Sequence, residues 1–111
     1  DWKDKKYNED HIYPQNEFKI KNLRAKGYDD ATIEKYQACY NSILNLELLD
    51  DSENKSKNAK PFDLWLKDRD ANFKERHHIP EMNDYSLDYF LDFIKKRKAL
   101  LTKQIKEFIL Q

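Results

Sequence analysis

The stretch Asn41-Ser42-Ile43-Leu44-Asn45-Leu46-Glu47-Leu48-Leu49-Asp50, continued by Asp51-Ser52-Glu53-Asn54-Lys55-Ser56-Lys57, decides the reading of the fold. Leu46–Asp50 is a short apolar run between polar flanks. It reads as a strand with Leu46 and Leu48 on one face, because side chains alternate along an extended chain. Ser52 then stands where a helix begins, since its hydroxyl accepts a free backbone N–H, and a short helix opens at Glu53. Upstream, Tyr7–Ile12 reads as a strand that stops at Pro14, because proline rarely continues a ladder. The expectation is therefore strand, strand, short helix.

Helical signals surround this unit. The first 14 residues mix charge with Trp2, Tyr7, Ile12 and Tyr13. Residues 15–29 are polar, with Phe18, Ile20 and Leu23 as apolar anchors and Gly27 as a turn. Asp29 or Asp30 caps a helix from about Ala31 to Tyr40, whose buried stripe is Ile33, Tyr36 and Tyr40. Lys60-Pro61 opens another helix, proline being tolerated at a first helical position. It carries Phe62, Leu64, Trp65 and Leu66. Residues 69–85 read as connector. Ser86 or Asp84 starts a long helix to the end, in which Phe90, Phe93, Ile94, Arg97, Leu101, Ile105 and Phe108 keep the 3.6-residue period.

Composition agrees. The 111 residues include 12 Leu, 8 Ile and 6 Phe but no Val and two Thr, which disfavours a large sheet. One Gly and 17 Lys favour helix. The fold class expected is α+β: a helix-rich domain with a small two-stranded antiparallel ribbon. A single domain is expected, with a finger core at about 6–60 and a helical part at about 61–111. No apolar run reaches membrane-spanning length. One cysteine, Cys39, forms neither an internal disulfide nor a CxxC zinc site, and the adjacent pair His77-His78 lacks zinc-ligand spacing. The chain reads as soluble and cytoplasmic. Starting at Asp1 without Met, it reads as a fragment of a longer polypeptide. Its 21 acids balance 21 bases, so no globally basic nucleic-acid binder is indicated. Locally, Lys55, Lys57 and Lys60 run without an intervening acid, as do the cations of the last helix, Lys95 to Lys106. Such runs on a helix are ordinarily solvated.

The residues with chemical content are Asp10-His11-Ile12-Tyr13-Pro14, then Asn45-Leu46-Glu47-Leu48-Leu49, then Asn54-Lys55-Ser56-Lys57. Singly, each has a structural reading: a strand end, a turn asparagine, a helix-start asparagine, a solvated lysine. Together, in this order, they resemble the HNH, or ββα-metal, nuclease finger. The closer resemblance is to the nuclease domain at the C-terminus of ParB-like/HNH fusion proteins, including GmrSD-type modification-dependent restriction enzymes. It rests on the Asp10–Pro14 opening, the Asn41–Leu49 middle, Asn54–Lys57 running into Pro61-Phe62-Asp63-Leu64-Trp65-Leu66, and a tail of His78-Ile79-Pro80 followed by a Phe-rich helix centred on Arg97.

The resemblance implies a metal-dependent endonuclease acting on DNA, joined to an N-terminal ParB-like nucleotide-hydrolysing region, with a role in restricting phage DNA. Phosphodiester hydrolysis needs a base to take a proton from water, and a neutral imidazole suits that near pH 7. His11 is the candidate. One hard divalent cation, Mg²⁺ or Mn²⁺, stabilises the developing negative charge and needs few protein ligands. Asp10 and Asn54 fit as its oxygen donors. The resemblance gives Asn45 the task of fixing the His11 ring or its loop. Lys57, one turn after Asn54, is expected at a phosphate, with Lys55 and Lys60 as further substrate contacts. The alternative is a non-catalytic DNA-docking or assembly module that keeps the fold. One geometric demand stands out: neighbours on a strand face opposite ways, so Asp10 and His11 share a site only at a strand end, twist or bulge. The segment 12–44 between base and clamp is longer than a minimal finger needs.

Overall fold

The computed structural model describes residues 7–110; Trp2 lies outside them. Two antiparallel strands, β1 (Tyr7–His11) and β2 (Leu46–Asp50), form the ribbon, in the register Asp10 opposite Glu47 and His11 opposite Leu46. Among the described residues six α-helices accompany it: α1 (Ile20–Ala25), α2 (Asp30–Cys39), α3 (Asp51–Lys57), α4 (Phe62–Leu66), α5 (Phe73–Arg76) and α6 (Phe90–Ile109). Single 3-10 turns stand at Gln15–Phe18, Ile43–Asn45 and Leu87–Tyr89. The fold is a helix-rich α+β domain with one two-stranded sheet, as composition required.

Local chemistry explains most element ends. Asp29 caps α2 by accepting the Thr32 N–H at 2.8 Å. Helix α3 starts earlier than expected, because Asp50 rather than Ser52 is its cap; Asp50 and Glu53 bond each other's backbone in a capping box. Pro61 stands at the start of α4, as its N-cap rather than as the first helical residue expected. The connectors hide two short helices, α1 and α5, each anchored by one buried apolar residue, Leu23 and Phe73. So few residues carry no periodic signal.

The core is mostly aromatic. Tyr13, two residues beyond β1, is buried among Phe62, Phe90 and Phe93 with ring centroids 5.0–5.2 Å away. Phe18 packs on Phe90, and Trp65 meets Phe73 edge to face. Edge-to-face and tilted pairs match the negative ring face of one partner to the positive edge of another. Because Ile12, Tyr13 and Pro14 are buried, the end of β1 is tied directly to this core.

Two expectations about buried faces change. On β2 the core takes Leu49 and Glu47, while Leu48 is 61% exposed. The alternation is as read; which face turns inward is set by the partner strand. On α6 only Phe90, Phe93 and Arg97 are buried. The apolar stripe continues through Ile105 and Phe108, but both are exposed, because the helix runs past the body it packs on.

Arg97 is the polar centre of the packing. It is 5% exposed. Its guanidinium donates to the carbonyls of Leu44 (3.0 Å), Leu46 (2.8 Å) and Ile43 (3.3 Å), and to those of His77 and His78 at 3.2 Å each. It thus ties the entry of β2 to the turn after α5, where His78 adopts φ +56. Replacing Arg97 by Met keeps the volume but removes those five hydrogen bonds. It is expected to lower unfolding free energy by about 2–4 kcal/mol in urea titration. Ile105→Ala, on the exposed part of the same helix, is expected to change it by less than about 0.5 kcal/mol.

Candidate active site on the ribbon and α3

Helix α3 lies along β1 because two side-chain bonds fasten it there. Asn8 Nδ2 donates to Asp51 Oδ1 at 2.7 Å, and Lys57 Nζ donates to Asp10 Oδ2 at 2.7 Å. Asn54 sits on α3 between these attachment points, on the face that carries Asp51 and Lys57, since residues three apart are neighbours on a helix. The sequence-predicted pair Asp10 and Asn54 is thus carried on facing elements.

Lys57 is placed differently from the expected phosphate contact. It is 1% exposed, and its ammonium lies over the Trp65 ring, 5.5 Å from the centroid, and also donates to the His11 carbonyl at 2.5 Å. The register supplies the reason. Asp10 and Glu47 are directly opposite on one face of the ribbon, and two carboxylates so placed repel each other. The Lys57 ammonium lies between them, 2.7 Å from Asp10 and 4.0 Å from Glu47. Lys55 and Lys60, by contrast, are exposed.

Glu47 was not singled out from sequence, since a glutamate in a short strand ordinarily faces solvent. Here its side chain is 1% exposed and His77 Nδ1 is 3.4 Å away. Neither of its oxygens accepts a hydrogen bond. Its pKa is pushed up to about 8, first by burial and next by the hydrogen bond that a protonated Glu47 offers Asp10; Lys57 pulls the other way. Burial also lowers the pKa of His77.

The end of β1 keeps strict alternation through its last two residues. Asp10 turns to α3, and His11 turns to the other side, toward the segment that follows α2. Its Nε2 lies 2.8 Å from Asn41 Oδ1, and its ring lies over Tyr40 with centroids 6.2 Å apart. No bulge brings Asp10 and His11 to one face. Asn45 is fully buried and holds the loop rather than the His11 ring. Its Oδ1 accepts the Tyr13 N–H at 2.9 Å, and its Nδ2 donates to the carbonyls of Tyr13 (3.1 Å) and Tyr40 (2.9 Å). Asn41 and Tyr40 are the residues that sequence reasoning passed over. Asn41 stood in the quoted motif, but its bond to His11 spans 30 positions.

Asp10 and Asn54 supply one carboxylate and one amide oxygen, which suits a hard cation that keeps several waters. Among the described residues no group of three His, Cys, Asp or Glu side chains is gathered around one point. A cation held by this pair would draw on two protein oxygens and solvent. The outer face of the ribbon, with Tyr7, Leu46 and Leu48, floors an open groove of about 850 Å³ whose walls include Asn41, His77 and Arg97.

The family of GmrSD restriction endonucleases, C-terminal domain, matches residues 1–104. No curated protein and no solved structure matches the chain. No helix among the described residues is long and apolar enough to cross a membrane.

The buried carboxyl has a consequence for stability. Glu47 titrates higher in the folded chain than in the unfolded one, where its pKa is near 4.5. Between those values the folded state binds more protons, so the stabilisation present at low pH is lost as pH rises through about 8. Glu47→Gln is expected to flatten the decline of stability between pH 5 and pH 8, read by urea titration at both ends. An unchanged slope removes Glu47 as its source.

Proposed function

The chain belongs to the family of GmrSD restriction endonuclease C-terminal domains, and on that premise we propose that it hydrolyses DNA phosphodiester bonds in a metal-dependent reaction, with His11 as general base and one divalent cation, Mg²⁺ or Mn²⁺, held by Asp10 and Asn54. The observation that carries this reading is the strand–strand–helix unit in which β1 ends in Asp10-His11 while α3, fastened along it, presents Asn54.

The opposed directions of Asp10 and His11 support the assignment. In-line displacement at phosphorus brings the water in on one side and lets the oxygen depart on the other. A base on one side of a strand end and a cation ligand on the other answer that demand. His11 takes the proton of the attacking water. When bound, the cation offsets negative charge on the phosphorane and leaving oxygen. Lys57 fixes the Asp10 carboxylate through a charge-assisted bond. Lys55 and Lys60, exposed at α3 and just after it, bind flanking phosphates. In the full protein the domain works with an N-terminal ParB-like nucleotide-hydrolysing region in restricting phage DNA.

A second reading, a DNA-docking module without catalysis, is favoured by one observation: Lys57 already occupies one Asp10 oxygen with a cation. Nicking of supercoiled plasmid by purified protein across a Mg²⁺ and Mn²⁺ series separates the two. The catalytic reading expects metal-dependent nicking, lost in Asp10→Ala and reduced about a hundredfold or more in His11→Ala. Equal rates for His11→Ala and the parent overturn the assigned base. The double change Lys55→Ala, Lys60→Ala is expected to lower the slope of log affinity against log salt by about 2, measured by DNA binding at several salt concentrations.

A further inference from the structure

We propose that Asn41 is a positioning residue for His11, selecting the tautomer in which Nδ1 is the free, proton-accepting nitrogen, and that segment 12–44 serves the site as the carrier of this contact. The inference rests on His11 being the base and deepens that reading.

The contact is 2.8 Å between His11 Nε2 and Asn41 Oδ1. An amide oxygen only accepts, so in neutral imidazole the hydrogen sits on Nε2 and the lone pair on Nδ1. An imidazole without a fixed partner divides between two tautomers and turns about its ring bond. With Asn41 in place, one nitrogen is committed, the ring plane is set, and the other nitrogen is aimed. His11 is at the end of β1, where the ribbon itself offers no such restraint.

Asn41 is in turn held by a chain of contacts reaching into the core. Tyr40 stacks on Phe18 at 5.2 Å with 13° between ring planes, and Phe18 packs on Phe90 at 4.7 Å. The buried Asn45 bonds the Tyr40 carbonyl, the Tyr40 N–H reaches Tyr36, and the Ser42 N–H closes back on Cys39. Helix α2 and the turn after it therefore deliver Tyr40 under the His11 ring and Asn41 to its edge. A minimal loop between the strands has nothing to supply these two residues. The His11–Asn41 bond itself is exposed. Such a bond contributes little to folding, so stability gives a weak reason for its geometry, whereas orientation of a base gives a direct one.

The test uses the full chain labelled with ¹⁵N. Long-range ¹H–¹⁵N correlation spectra above pH 8, without metal, report which His11 nitrogen carries the hydrogen. The parent is expected to show the Nε2-protonated form, Asn41→Ala a mixture, and Asn41→Asp, which retains an acceptor oxygen, the parental form. In plasmid nicking with Mg²⁺, Asn41→Ala is expected to lower kcat about tenfold or more with KM within about twofold, and Asn41→Asp to restore most of it. Matching urea midpoints for Asn41→Ala and the parent establish that the fold is intact. A parent protonated on Nδ1, or an Asn41→Ala variant with parental spectra and kcat, overturns the inference. If the parent does not nick DNA, the nuclease reading fails by itself, and the spectra still decide whether Asn41 sets the tautomer.

Discussion

One guanidinium holds the two halves of this chain in register. Arg97 donates to five backbone carbonyls, three in residues 43–46 and two in residues 77–78. The first group leads β2 out of α2; the second turns the chain toward α6. Ile43 also has the Leu46 N–H as a donor, but buried carbonyls short of donors are costly. A planar fork of donors on one rigid helix answers them together. With residues 43–46 fixed, Asn45 is set against Tyr13 and Tyr40, the ribbon register follows, and the ends of β1 and α2 meet.

The site is then a problem in charge placement. The register makes Asp10 and Glu47 neighbours on a buried face, an arrangement unfavourable by itself. Lys57 relieves it by placing its ammonium at Asp10, over the Trp65 ring. The raised pKa of Glu47 relieves it further, because a protonated carboxyl carries no charge and can donate to Asp10. What remains is a single restrained carboxylate on the inner side of β1 and an imidazole on the other side, held by an amide. On the proposed reading, the alternation that sends Asp10 and His11 to opposite sides would give base and cation ligand opposite approaches to a phosphate at the strand end.

Much of this was legible in the linear chain. The strand Leu46–Asp50, the α2 cap at Asp29, Pro61 before α4 and the Phe90–Phe93–Arg97 stripe all follow from spacing and local chemistry, and the chemical residues stood in a recognisable order. Helices α1 and α5 were not legible, because each shows one buried anchor and no period. The α3 cap was misplaced by two residues because Asp50, read as the strand's last residue, is both strand end and cap. Ile105 and Phe108 keep the helical period, yet period alone does not say how far the packed body extends.

The sequence by itself determined the fold class, the order of the two strands and of α2, α3, α4 and α6, and the family, because these rest on local propensities, side-chain periodicity and motif order, all of which are linear. Only tertiary structure decided that Lys57 is buried at Asp10, that Glu47 shares its face, that Asn45 grips backbone rather than imidazole, and that Asn41 reaches His11. Most of those contacts join residues 30 or more positions apart, 47 in the case of Asp10 and Lys57. They exist only once strand register and helix docking bring the groups within hydrogen-bond distance.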